Sequence, residues 1–146
     1  MKLFKTLSVI SIIVLLFIGC TKQDTQKVEN THQKITNKYW KLTQIENSAS
    51  MVYPKQREAH ILLKEQKVAG SDGCNRIMGS YTLNENKITF SRVASTMMAC
   101  LQGMQQAYKF KINLEKAQNF KIENDKLLIF DKDSNKILEF TAIYLQ

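Results

Sequence analysis

Ser80-Tyr81-Thr82-Leu83, Asn84-Glu85-Asn86 and Lys87-Ile88-Thr89-Phe90-Ser91 follow one another without a break. The two outer segments alternate apolar and polar side chains with a period of two, and aromatic and β-branched residues sit at the apolar positions. Asn-Glu-Asn interrupts that period with side chains that favour turns. The stretch reads as a β-hairpin with one buried face.

The same grammar recurs on either side. Downstream, Asn119–Glu123, the turn Asn124-Asp125 and Lys126–Phe130 read as a second hairpin. Asp133-Ser134-Asn135 then turns the chain into a last strand, Lys136–Tyr144. Upstream, Tyr39–Ile45 points Trp40, Leu42 and Ile45 inward, and His60–Lys64 and Lys67–Ser71 follow as short strands. Short strands divided by Asn, Asp and Gly turns make the chain mainly β, a sandwich or a barrel. Seven or eight strands suit a barrel. Trp40, Tyr81, Phe90, Tyr108, Phe110, Phe120, Phe130 and Phe140 are expected to fill it.

Leu101 to Ala117 carries two signals. Met104, Ala107, Tyr108, Leu114 and Ala117 share one helical face, with Gln102, Gln105, Gln106, Lys109, Asn113 and Lys116 opposite. Tyr108 to Leu114 also alternates with the strand period. Seventeen residues are long for a strand, so the stretch is expected to be the single helix.

The first twenty residues belong to a different class. Lys2 and Lys5 precede the apolar run Leu7 to Ile18, and Gly19-Cys20 leads into the polar Thr21-Lys22-Gln23-Asp24. A basic start, a short apolar run and a small residue before a cut make a secretory signal. The apolar run would make a helix only ~18 Å long, against the ~30 Å of a bilayer core. Phe17-Ile18-Gly19-Cys20 resembles the bacterial lipobox, with Phe17 where Leu is usual. The resemblance implies cleavage before Cys20 and lipidation of its thiol and new amino group, which anchors firmly because it adds more than one acyl chain. Residues 1–19 are then a lipoprotein signal peptide, 20–36 a lipidated Cys and flexible tether, and 37–146 the domain. Thr21 stands where an Asp commonly retains Gram-negative lipoproteins at the inner membrane. By that analogy the anchor lies in the outer membrane, facing the periplasm.

The whole chain of 146 residues carries a formal charge of +8. Loss of Lys2 and Lys5 takes the 21 basic residues to 19 against 13 acidic, or +6. No basic cluster interleaves with aromatics as nucleic-acid binding requires, so no nucleic-acid partner is expected. The remaining cysteines, Cys74 and Cys100, are an even pair in an exported domain. That context favours a disulfide over a free thiol pair or a metal site. No cofactor or metal is expected, since few further ligands exist.

Gly70-Ser71-Asp72-Gly73-Cys74-Asn75 is the most distinctive segment. Gly70, Gly73 and Asn75 tolerate positive φ, which predicts a tight turn held by Asp and Asn side chains. A nucleophile loop, with Cys74 served by His60 and Asp72, is the catalytic alternative. No Gly-Lys-Ser/Thr follows, so the glycines do not form a phosphate loop.

Gly70-x-x-Gly73-Cys74-Asn75-x-x-x-Gly79-x-Tyr81, Thr96-Met97-Met98-Ala99-Cys100 and Met104, taken with Trp40-Lys41-Leu42 and Leu138-x-Phe140, resemble the META domain of HslJ-type bacterial lipoproteins. Gln105-Gln106 stand where that family often has Glu. The resemblance implies a small, partly open, lipocalin-like antiparallel β-barrel of 7–8 strands with one helix packed across it. It also implies a Cys74–Cys100 disulfide and association with heat-shock response, the outer membrane and novobiocin tolerance. The family brings no catalytic residues. The expected function is a monomeric, non-catalytic envelope lipoprotein that binds a protein or lipid partner. The alternative is an acyl-chain carrier or secretion-pilot-like module, which requires an apolar cavity of ~300 Å³ or more near the helix.

Overall fold

The computed structural model describes residues 34–144. The expected signal peptide, the expected lipidation site Cys20 and most of the expected tether lie outside the described residues. The elements are β1 (Tyr39–Ile45), β2 (Ser48–Ala49), β3 (His60–Lys64), β4 (Lys67–Ser71), β5 (Arg76–Asn84), β6 (Lys87–Ser95), α1 (Met104–Lys116), β7 (Asn119–Glu123), β8 (Lys126–Phe130) and β9 (Lys136–Ile143). All pairings are antiparallel and follow chain order from β3 to β9. β9 returns to β1, from Tyr39 opposite Ile143 to Ile45 opposite Leu138, and closes a ring of eight strands. The two-residue β2 stands outside that ring, on the end of β1.

The expectation of a barrel holds, and so does its partial openness. β6 and β7 meet only at Lys87 and Asn119, whereas β5 and β6 pair over almost their whole length. Helix α1 links β6 to β7 and packs mainly on β6, reaching β1 and β9 across the mouth. It closes what those two strands leave open.

A meander of this kind alternates its turns between two rims. The first rim carries the chain entry and the tight turns Glu65-Gln66, Glu85-Asn86 and Asn124-Asp125. Glu65, Gln66, Glu85 and Asn124 all adopt positive φ there. That conformation twists a two-residue turn in the sense the flanking strands need. The second rim carries the 50–59 loop, the 72–75 turn, α1 with its approach, and the 131–135 turn.

Alternation along each strand sends Trp40, Ile61, Leu63, Ile88, Leu127, Ile129 and Phe140 into the ring, where each is fully buried. Each such side chain contributes roughly 1.5–3 kcal/mol. Phe110 of α1 meets Phe140 edge-on, with ring centroids 6.0 Å apart. The ring is therefore filled with side chains.

Four sequence expectations need correction. The buried face of α1 is Ala107, Phe110, Asn113 and Leu114. Tyr108 is 67% exposed and Met104 48%, so neither lies on the core face. The helix is also shorter than 101–117, because Gly103 at its start is left-handed, with φ 81°. Ile35, read as part of the tether, is fully buried, and its carbonyl accepts a hydrogen bond from Trp40 Nε1 at 2.8 Å. Phe130 is only half-buried.

Candidate functional site

The distinctive segment lies on the second rim. Gly70 and Ser71 finish β4, and the turn itself is residues 72–75. Asp72 is 2% exposed. Its Oδ1 accepts from the backbone N–H of Cys74 (2.9 Å) and of Asn75 (2.5 Å), and its Oδ2 accepts from Asn75 Nδ2 (3.1 Å). Ser71 Oγ accepts from Gly73 N–H at 3.1 Å. The carboxylate thus takes up backbone donors that the strands cannot serve.

The glycines work differently from the sequence expectation. Only Gly73 has positive φ, at 100°, and Asn75 does not. Gly70 is needed for close approach, since a Cβ there would fall 2.0 Å from the His60 carbonyl oxygen. Gly79 sits opposite Val68, where the β5–β6 register shifts.

The turn is tied to the 96–100 segment in several places. Asn75 Oδ1 accepts from Met98 N–H at 2.8 Å. Arg76 N–H donates to Thr96 Oγ1 at 3.1 Å, and Thr96 N–H donates to the Arg76 carbonyl at 3.0 Å. Cys74 and Cys100 form a disulfide with Cα atoms 6.0 Å apart. Cys74 Sγ also contacts Met104 Sδ at 3.7 Å. The cysteine expectation is met, and Cys74 carries no thiolate for nucleophilic attack. His60, its candidate base, stacks on Tyr39 with centroids 4.4 Å apart. Burial, then the hydrogen bond to Glu58, pushes the Tyr39 phenol up to about 12, so it holds its proton at neutral pH.

A groove of about 420 Å³ opens between the 95–99 segment and the outer face of α1. Met97, Met98, Met104, Tyr108 and Lys111 line it, together with the buried Asp72 and Asn75. Met97 is fully exposed and Met98 is 55% exposed. Sequence reasoning noted these methionines but not that Tyr108 joins them. Only the true phase of the helix, set by Phe110, turns Tyr108 outward.

The 50–58 loop braces the start of α1. Gln106 Oε1 accepts from Met51 N–H at 2.8 Å, and Gln106 Nε2 donates to the Met51 carbonyl at 2.9 Å. An amide can do both, whereas an ionised glutamate has no proton to donate. Gln56 Nε2 donates to the Gln102 carbonyl at 2.8 Å. Among the described residues no three His, Cys, Asp or Glu side chains gather as metal ligands. None of the described helices is long and apolar enough to cross a membrane.

The family model for the META domain matches residues 33–143. The chain belongs to the META-domain family. Solved structures show a similar fold. A protein from Burkholderia xenovorans, solved by NMR, superposes with a TM-score of 0.65 at 22% identity, covering 80% of this chain and 88% of its own. A second NMR structure gives a TM-score of 0.60 at 17% identity, covering 75% of this chain and 92% of its own. A DUF4847 family protein from Bacteroides vulgatus gives 0.56 at 11% identity, covering 80% and 99%. At such identities these likenesses concern the fold alone. No curated protein matches the sequence.

Proposed function

We propose that this META-domain chain is a monomeric, non-catalytic binding module, tethered through lipidated Cys20 to the outer membrane and facing the periplasm. Its task is envelope maintenance under heat or antibiotic stress, and its binding surface is the methionine-lined groove. The observation that carries this reading is the groove's position. It lies on the second rim, while the chain enters at the first rim, where Asn37 N–H bonds the Leu63 carbonyl. A tether on one rim leaves the other free to meet a partner. Soft, exposed methionines suit an adaptable contact.

The test is a photoreactive amino acid in place of Met98, with Lys121 on β7 as the control position, in cells making the full lipoprotein. Crosslinks to one envelope component from position 98 and none from 121 support the module. Equal, diffuse labelling at both positions would sink it. Labelling with a palmitate analogue, lost in Cys20→Ala, checks the anchor.

An acyl-carrier role is the second reading, because the groove exceeds the ~300 Å³ such a role needs. It predicts extra mass fitting an acyl chain when the protein is purified gently and weighed by native mass spectrometry.

A further inference from the structure

The groove does not end at the methionines. At Asn75 and Met98 it meets a second cavity of about 220 Å³, bordered by the disulfide and by Lys55, Arg57 and Arg76. Among the described ion pairs, none involves these three cations. Glu58, next to Arg57, is paired with Lys41 at 2.6 Å, and Asp72, which lines the groove, is buried with its oxygens engaged by Cys74 and Asn75. Lys111 also lines the groove, and among the described residues its ion-pair partner is Glu115 at 4.0 Å. The site is an apolar trough bordered at one end by three cations that make none of the described ion pairs.

The geometry points to an acidic, amphipathic segment of a protein partner as the occupant. Apolar side chains of that segment lie on Met97, Met98 and Met104, and its carboxylates reach Arg57, Arg76 and Lys111. Arginine favours such contacts because its planar fork matches a carboxylate. The methionine groove is open to solvent, so it would leave much of an acyl chain in water, whereas binding sites for small apolar ligands cover most of the ligand. A helix face laid in a groove needs no such enclosure. The anchoring membrane is the weaker candidate, because the trough lies on the rim opposite the chain entry.

This inference rests on the binding-module reading and sharpens it. The test uses the mature lipoprotein in nanodiscs of zwitterionic lipid, with 13C-labelled methionine methyls. The probe is a synthetic leucine–glutamate amphipathic helix of about five turns, and the comparison peptide carries lysine for glutamate. We expect the acidic peptide to shift the Met97, Met98 and Met104 methyls while Met78, exposed on β5, stays still. Arg57→Glu combined with Arg76→Glu should weaken binding about tenfold or more, as should raised salt. Lys111→Glu gives an independent, smaller loss. Equal binding of the lysine peptide, shifts at Met78 alone, or no shifts would overturn the inference. So would anionic nanodiscs shifting the groove methyls without peptide, which would assign the trough to membrane.

The two failures are separable. Focused crosslinking from position 98 that survives the double charge reversal leaves the module standing and removes the acidic partner. Loss of both signals removes both readings.

Discussion

Two turns on the same rim use the same chemistry in different surroundings. Asp72 accepts from the N–H of Cys74 and Asn75 and from the Asn75 amide. Asp131 accepts from the N–H of Asp133 and Asn135 and from the Asn135 amide. Locally they are near copies of one Asp–Asn turn. Asp72 is buried and its asparagine reaches on to Met98, while the 131–135 turn closes on itself in solvent. A motif read from sequence therefore names the bonds, and burial decides what they are worth. Water can replace the acceptor in the outer turn and cannot in the inner one.

The disulfide beside the inner turn offers the largest test of that difference. Cys74→Ser with Cys100→Ser should lower unfolding free energy in urea by ~3.6 kcal/mol, the chain-entropy value for a loop of this length. A loss near zero would mean that the hydrogen bonds alone hold the 96–100 segment.

Asp72→Ala comes next, at about 2–3 kcal/mol in the same titration, because buried donors lose their acceptor. Nuclear magnetic resonance should also show the Met98 amide moving, through Asn75. A still Met98 amide would break the link drawn between turn and groove.

A third carboxylate sharpens the comparison through pH. Glu139 is buried on β9, where Lys126 (2.8 Å) and Lys136 (2.5 Å) bond it and hold its carboxyl below the usual glutamate range. A depressed carboxylate contributes stability above its unfolded pKa, and that contribution is lost as pH falls through its folded pKa. Stability should therefore fall on the acid side of the ordinary value of 4.5. Glu139→Gln should flatten that acid limb, as read from urea midpoints against pH. An unchanged slope would show that the two lysines do not set it.

The smallest effect belongs to the outer turn. Asp131→Ala should leave the urea midpoint within error at neutral pH, although the Asn135 bonds hold the Asp131 carboxyl below its usual range. A loss matching that of Asp72→Ala would erase the distinction between the two turns.

Much of the strand layout was legible because period two is a local signal. Tyr81 and Phe90 face each other across their hairpin, as the alternation around Asn84-Glu85-Asn86 required. The helix was legible as an element but not in phase. Tyr108 and Phe110 are both aromatic, and nothing local says which one meets Phe140. Ile35 was hidden for a related reason. Two isolated aliphatics, Val28 and Ile35, in a polar stretch look like tether until Trp40 needs an acceptor for its indole N–H. The groove was legible only in part: Met97, Met98 and Met104 stand close together in the sequence, but the outward turn of Tyr108 and the approach of the 72–75 turn depend on tertiary contacts.

The sequence by itself determined the β period, the turn positions and the cysteine pair, all of which are written in neighbours or in simple counts. Tertiary structure decided the closure of β9 onto β1, the phase of α1, and the exposure of Met97, Met98 and Tyr108 along one groove. These depend on which distant surfaces come together, and burial and charge compensation have no value until they do.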